Sequence, residues 1–313
     1  DVCSSDLERN NYDYACPPIG SVSETSFAAD LHKEYLKMFI DNYERMFATY
    51  AVFRDDFSRD LYLRLILFNL LGHSHVRLPM DTDTFWNARR ACNQLPSVPS
   101  IFSSGGNVPV EHFAIPISGG TINIDCFRIN IFYSFCLKQY FLNRDGVRID
   151  PDAGDHVIDA GACFGDTAVV MALAVGPHGR IYSFDPIADH AALVRHNIAQ
   201  NPAIRNVALF PVALGAENAG GNEDHRPKGI DVGFSVAANP GVVPTRALDD
   251  LVADGAIPRV DFIKMDIEGF ELEALRGAEE TIRKFRPKLA ISLYHKKEDL
   301  FTIPEYIRNL DVG

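Results

Sequence analysis

The segment His156-Val-Ile-Asp-Ala-Gly-Ala-Cys-Phe-Gly-Asp166 carries the sharpest chemical signal in the chain. An apolar run ends in Asp159, passes through Gly161 and Gly165, and leads into a helical pattern. Glycines at such a turn let the backbone bend tightly and approach a ligand with no Cβ in the way. A helix start after Gly165 offers backbone N–H groups and a positive dipole end, which suit a carboxylate. The spacing is D-x-G-x-x-x-G, not the dinucleotide G-x-G-x-x-G. Asp159 and Asp166 bracket the loop, and a pyrophosphate would avoid them. A ligand bearing both an ammonium and a carboxylate fits better, as in the methionine end of S-adenosylmethionine. Gly161, Ala162, Cys163 and Gly165 would then line the cofactor loop. Taken alone, the segment is equally an ordinary strand-to-helix turn.

Asp185 ends the next apolar run, Arg180–Phe184, and is followed by Pro186. An acidic side chain there can accept hydrogen bonds from both hydroxyls of a ribose. It can also cap the following helix, and the two roles are compatible. Val212–Leu214, taken as the end of a third strand, is expected under an adenine ring, with Val212 and Ala213 in backbone and apolar contact. A further constellation is Asp261-Phe-Ile-Lys-Met-Asp-Ile-Glu-Gly-Phe-Glu271. Lys264 and Asp266 lie two apart, hence on one strand face. A lysine inside a core strand is costly unless paired, so a Lys264–Asp266 pair beside a reacting hydroxyl is expected. Glu268 and Glu271 open a helix, where carboxylates favour the dipole. His295, in Tyr294-His-Lys296, would titrate near neutrality and take a proton from a hydroxyl, unless it is simply a surface histidine. Asp266 and His295 are thus the candidate bases, with Lys264 and Glu268 as positioning groups. No metal site is assigned. A divalent ion on Asp266 and Glu268 is conceivable without being required, and His73 and His75 have no third ligand nearby in sequence.

The elements that must position these residues form a regular pattern. Strands are expected at His156–Asp159, Arg180–Phe184, Val207–Phe210, Asp261–Met265 and Leu289–Leu293. Helical stretches alternate with them at Asp166–Ala174, Asp189–Gln200, Leu248–Ala253 and Phe270–Phe285, and Ile303–Leu310 is helix-like. Such alternation means a parallel sheet covered by helices, an α/β fold. Gly215–Pro244, with Asp224-His225-Arg226, is a candidate lid or a mobile connection. Before the α/β region, Glu111–Ile117, Gly119-Gly120 and Thr121–Phe127 read as strand, turn and strand. Helices are expected over Ser26–Tyr50, from Asp56 to Leu71, and over Thr84–Asn93. The expected organisation is therefore a helical region to residue 110, a β-hairpin extension over 111–150, and a cofactor-binding domain over 151–313.

The 313 residues carry a net charge of −12, which argues against a nucleic-acid partner, because such a partner needs basic surface. Small molecules or glycans are the expected partners. The apolar stretches are too short for a membrane span, and no signal segment opens the chain. The six cysteines show no C-x-x-C spacing, so reduced thiols in a cytoplasm are expected. Asp1–Leu7 (DVCSSDL) resembles translated sequencing-adapter sequence and is set aside from fold reasoning.

The motifs Val157–Thr167 (VIDAGACFGDT), Tyr182–Pro186 (YSFDP), Ala247–Leu251 (ALDDL) and Asp261–Ala278 (DFIKMDIEGFELEALRGA) together resemble the FkbM-type family of S-adenosylmethionine-dependent methyltransferases. The resemblance covers about the last half of the chain. It implies a class I methyltransferase (Rossmann-like) fold and O-methylation of a hydroxyl on a sugar or secondary metabolite. Asp159, Gly161, Gly165 and Asp185 match its cofactor positions, and Lys264, Asp266, Glu268 and Glu271 match its second signature. Cys163 stands where the family more often has Asn, and Asp185 where Glu is common. Members usually continue beyond the Tyr294-His-Lys296 segment with two more strands, so the sheet is expected to lack its last two. A non-catalytic S-adenosylmethionine-binding scaffold is the other reading, and the glycine spacing argues against a nicotinamide dehydrogenase.

Overall fold

The computed structural model describes residues 27–71, 75–104, 108–144, 146–222 and 229–312, and the side chains from Lys33 onward. Asp1–Leu7, His73 and Asp224-His225-Arg226 lie outside the described residues. The chain divides into two compact units. Among the described residues no helix is long and apolar enough to cross a membrane.

The first unit takes the chain up to Gln94, together with Lys296–Ile307. Its helices are α1 (Phe27–Tyr50), α2 (Asp56–Leu71) and α3 (Asp83–Asn93). Met46 of α1 packs with Tyr62 and Ile66 of α2 and with Phe301, from the helix Asp299–Asn309. Apolar side chains thus meet at helical spacing, as the sequence period implies. Arg45 reinforces the packing, with its guanidinium over the Phe301 ring and an ion pair to Glu305.

The second unit takes Leu95–His295 and Arg308–Gly313. It opens with an antiparallel sheet of β1 (Val98–Pro99), β2 (Glu111–Ile117) and β3 (Gly120–Cys126). A helical turn, Arg128–Asn130, then runs into a π-helical stretch, Ile131–Leu137. A short hairpin of β4 (Leu142–Arg144) and β5 (Val147–Ile149) follows. The remaining elements in chain order are β6 (His156–Ala160), α4 (Asp166–Val175), β7 (Arg180–Phe184), α5 (Ala188–Ala199), β8 (Val207–Phe210), β9 (Ala213–Leu214), β10 (Thr245–Arg246), α6 (Leu248–Ala253), β11 (Phe262–Met265), α7 (Glu271–Arg276), α8 (Glu279–Phe285) and β12 (Lys288–Ile291).

The main sheet runs β12-β11-β6-β7-β8, every neighbouring pair parallel. The chain order reverses between β6 and β11, the switch point where open α/β sheets bind ligands beyond their carboxyl ends. Phe262, Ile263, Val157, Ile158 and Ile181 are fully buried along these strands, as expected for a sheet covered on both faces.

Two departures from the sequence reading have physical causes. Val212–Leu214 does not continue the third strand: β8 stops at Phe210, and Ala213–Leu214 pairs instead with Thr245–Arg246. Pro211 separates them, and a proline cannot donate to a strand ladder. The expected helix Phe270–Phe285 is two helices broken at Gly277 and Ala278. At Gly277 a Cβ would overlap the Gly215 carbonyl oxygen, so glycine admits the close approach. The new helix start is then capped by Asp249, which accepts from the backbone of Glu280 and Thr281.

The antiparallel sheet is fastened by two asparagines four residues apart, Asn197 on α5 and Asn201 just past its C-cap Gln200. Asn197 accepts from Asp125 N–H at 2.8 Å and donates to Asp125 C=O at 2.8 Å. Asn201 does the same with Asn123, at 3.0 and 2.7 Å. Each amide thus takes the place of a strand partner along β3, at Asp125 and Asn123, two residues apart on one strand face.

Candidate functional site

The predicted cofactor loop leaves β6 at Ala160 and turns on residues in the left-handed region. Gly161 has φ +83° and Gly165 φ +77°, and Cys163 lies at φ +43°. A Cβ on Gly161 would overlap the Asp266 carbonyl oxygen, so glycine lets β6 and β11 close together at the switch point. Gly161 and Ala162 donate to Phe184 C=O, and Asp185 accepts from Cys163 N–H at 2.8 Å, tying the loop to the end of β7. Gly165 is the N-cap of α4 and brings no side-chain acceptor, so it leaves the first-turn amides uncapped.

Asp159 is fully buried. Its carboxylate accepts from Thr167 Oγ1 at 3.0 Å and Ser183 Oγ at 3.2 Å, and pairs with Lys264 Nζ at 3.2 Å. The parallel register sets Lys264 opposite Asp159 and Asp159 opposite Ser183, so the three form a row across β11, β6 and β7. Lys264 Nζ also donates to the carbonyls of Ala160 at 2.9 Å and Gly161 at 2.7 Å. This corrects the expected Lys264–Asp266 pair: the ammonium binds the neighbouring strand and the loop it launches. Burial works to lower the Lys264 pKa, but Asp159 and Asp266 more than reverse this and hold it above its ordinary value. Lys264 therefore stays charged through the neutral range.

Asp166 is also buried, accepting from Ser134 and, at 3.4 Å, from Asn130. Burial raises its pKa. Asp185 accepts from Ile187 N–H at 3.0 Å and contacts His190 Nδ1 at 3.0 Å. Pro186 is partly buried beside it, and burial with the Asp185 and Asp166 charges pushes the Cys163 thiol well above its usual pKa. Val212 lies in the bend between β8 and β9, and Ala213, in the separate strand pair, packs with Val236 and Val243.

At the carboxyl end of β11 a second group converges. Tyr140 and Tyr294 both donate their hydroxyls to Asp266. Burial would raise the Asp266 pKa, but Lys264 and the two tyrosines bring it below its ordinary value. Glu268 adopts φ +55° and is followed by Gly269 at φ +88°, a turn that carries Glu271 back to accept from Ile267 N–H at 2.8 Å. His295 Nε2 lies 3.4 Å from Asp266 and 3.6 Å from Glu268, and Nδ1 lies 2.9 Å from Glu271. Burial would lower the His295 pKa, but Glu268 and Glu271 lift it to about 10. The expectation that His295 titrates near neutrality is therefore corrected, because three carboxylates surround one imidazole.

The structure thus brings Asp266, Glu268, Glu271 and His295 together, and separately joins Lys264, Asp159 and the Gly161 loop. Sequence reasoning missed Tyr140, Asn130 and Ser134, which reach Asp266 and Asp166 from the segment after β3. Nothing in their spacing announces it; the tyrosine lies 126 positions before its partner.

This geometry has counterparts among known proteins. Residues 159–311 match the family model described as the methyltransferase FkbM domain. The chain is 28% identical over 133 residues to the 2-O-methyltransferase NoeI of Sinorhizobium fredii, covering 36% of this chain and 54% of that protein. It is 24% identical over 140 residues to the hexuronic acid methyltransferase AglP of Haloferax volcanii, covering 43% of this chain and 55% of that protein. The chain spans about half the length of these curated relatives. A crystal structure of methyltransferase FkbM from Methylobacillus flagellatus superposes with a TM-score of 0.51 at 19% identity, covering 88% of this chain and 54% of that one, a likeness of fold. The β12-β11-β6-β7-β8 sheet, its glycine turn and the Asp266-to-Glu271 segment all fall in or against the region that is similar to the methyltransferase FkbM domain.

Proposed function

We propose that the protein is an S-adenosylmethionine-dependent O-methyltransferase acting on a sugar hydroxyl. The observation that carries this reading is the switch point itself, where the Gly161–Gly165 loop and the acidic group around Asp266 meet within one glycine's width. The donor set suits the cofactor's charges. The uncapped amides of α4 suit its carboxylate, while Asp185 suits its ribose, and the nearby carboxylates suit its cationic centre. Bound there, the cofactor supplies a methyl group already activated by a sulfonium. Both curated relatives are methyltransferases, and the AglP name specifies a hexuronic acid, which supports a sugar acceptor.

The chain's own residues then have two tasks, alignment and proton removal. The Gly161–Gly165 loop and Asp185 would hold the cofactor, and the acceptor hydroxyl proton lost on methylation would pass to a base of this chain. That proton becomes strongly acidic as the oxygen shares its lone pair, so a carboxylate of low basicity is sufficient. Asp266 is assigned that role, oriented by the hydroxyls of Tyr140 and Tyr294. His295, held charged by its neighbours in the metal-free protein, is assigned to positioning. Lys264 is also a positioning residue, through the loop carbonyls of Ala160 and Gly161.

Methyl transfer from tritium-labelled S-adenosylmethionine to a panel of hexoses, hexuronic acids and oligosaccharides tests the reading. Labelled sugar is expected, and Asp266→Asn should lower turnover at least about 100-fold while leaving S-adenosylhomocysteine affinity within about threefold. Calorimetry that finds no S-adenosylhomocysteine binding refutes the reading, and binding without turnover on any acceptor favours a scaffold.

A further inference from the structure

The group beyond β11 and β12 contains more buried ligand atoms than its own hydrogen bonds employ. One side-chain atom each from Asp266, Glu271 and His295 lies within 4.8 Å of the other two. The Glu271 side chain is 1% exposed and that of His295 8%. Glu271 uses Oε1 for Ile267 N–H, but its buried Oε2 has no hydrogen-bond partner. Neither nitrogen of His295 makes a directional hydrogen bond, although both face carboxylates. Such orphaned buried atoms are rare in native proteins and usually mark a missing water or ion.

We propose that Asp266, Glu271 and His295 form a binding site for a divalent transition cation of the manganese(II) type. Two carboxylates with one imidazole are a donor set for which manganese(II) is well suited. Magnesium favours an all-oxygen shell, and structural zinc favours cysteine and histidine. The rest of the site holds these donors in place. Tyr140 and Tyr294 fix the Asp266 carboxylate, and the left-handed turn at Glu268 and Gly269 brings Glu271 back beneath the imidazole. Glu268, with a partly exposed side chain 3.6 Å from His295, adds negative charge at the rim. Three protein ligands leave coordination positions open to water or to an acceptor hydroxyl, whose proton a divalent cation would make more acidic. The cation site rests on these side chains alone; only its role toward an acceptor hydroxyl rests on the methyltransferase reading.

The test uses the full chain, freed of metal with a chelator and titrated with manganese(II) chloride while electron paramagnetic resonance follows the free ion. One ion per chain is expected, with pulsed spectra showing nitrogen coupling from an imidazole. His295→Gln should abolish that coupling, and Glu271→Gln should weaken binding at least tenfold. Asp254→Asn, a surface control, should change nothing. Circular dichroism confirms that each variant is folded, and either variant suffices if the other is not. Stoichiometry well below one ion per chain overturns the proposal, as does a nitrogen coupling that persists in His295→Gln. S-Adenosylhomocysteine calorimetry on the same samples separates the two readings. Manganese binding without nucleoside binding leaves the cation site standing and removes the methyltransferase reading; the reverse result does the opposite.

Discussion

Replacing Lys264 with methionine isolates the contact on which the Gly161–Gly165 loop depends. The ammonium and the Asp159 carboxylate are 1% and 0% exposed, with Nζ and Oδ1 3.2 Å apart. Methionine keeps most of the volume, so the lost quantity is electrostatic and not a cavity. Removing one partner of a buried pair leaves the other charge uncompensated, at a cost of about 3–5 kcal/mol. The carbonyls of Ala160 and Gly161 lose the same donor, which keeps the cost toward the upper end. With a urea slope of about 3 kcal/mol/M, the midpoint should fall by about 1–1.7 M. The probe must report the second unit. Trp86, the single tryptophan, belongs to the first, so its fluorescence is the wrong signal. Amide exchange in β6 and β11 reads the right region. The double variant Asp159→Asn with Lys264→Met removes both charges and should recover at least about 2 kcal/mol relative to the sum of the single losses. A loss below about 1 kcal/mol in Lys264→Met, or strictly additive single losses, refutes the pairing.

Three further outcomes follow from the same geometry. Cys163 sits at φ +43°, a region where a non-glycine residue is strained by roughly 1–2 kcal/mol and asparagine is better tolerated. Cys163→Asn should therefore raise the melting temperature in calorimetry, and a clear drop would show that the thiol's packing outweighs the backbone strain. Asp185→Ala removes the acceptor for Cys163 and Ile187 N–H and should weaken S-adenosylhomocysteine at least tenfold, about 1.4 kcal/mol, by isothermal titration; unchanged affinity refutes the ribose placement. In the metal-free protein the His295 pKa is raised from 6.5 to about 10, so its stabilising contribution is complete below pH 6.5 and is lost as pH rises toward 10. Nuclear magnetic resonance of the His295 ring should show the imidazolium persisting above pH 8, and a midpoint near 6.5 would refute the carboxylate cage.

The α/β region was readable because its signals are local. Each core strand is a short, mostly apolar run, and all five fall within a residue or two of their expected limits. Burial on both faces makes such runs nearly continuous, and the intervening helices supply the alternation that requires parallel pairing. What escaped were features set by contacts between distant segments. The division of Phe270–Phe285 depends on the backbone at Gly215, and the π-helical stretch Ile131–Leu137 gives no periodic cue. The asparagine clamp on β3 is a further case. Asn197 and Asn201 look like ordinary polar positions on and just past a helix until β3 lies beside them.

The candidate site divides along the same line, and Lys264 shows why. Its type and position announce that a charged side chain in a core strand needs a partner, because an unpaired buried ammonium is too costly to retain. Sequence distance favours Asp266, two residues along on the same face. Yet β11 ends at Met265, and Asp266 turns away to the hydroxyls of Tyr140 and Tyr294. The choice between two acidic partners is made by register, which sets Lys264 beside Asp159 on the adjoining strand. A one-residue slip would send Lys264 to the opposite face of the sheet and leave Asp159 uncompensated. The pair therefore does for strand alignment what a covalent tie would do for connectivity. It also explains why the glycine turn after β6 and a lysine 103 positions later, hydrogen-bonded to the Gly161 carbonyl, answer to one constraint.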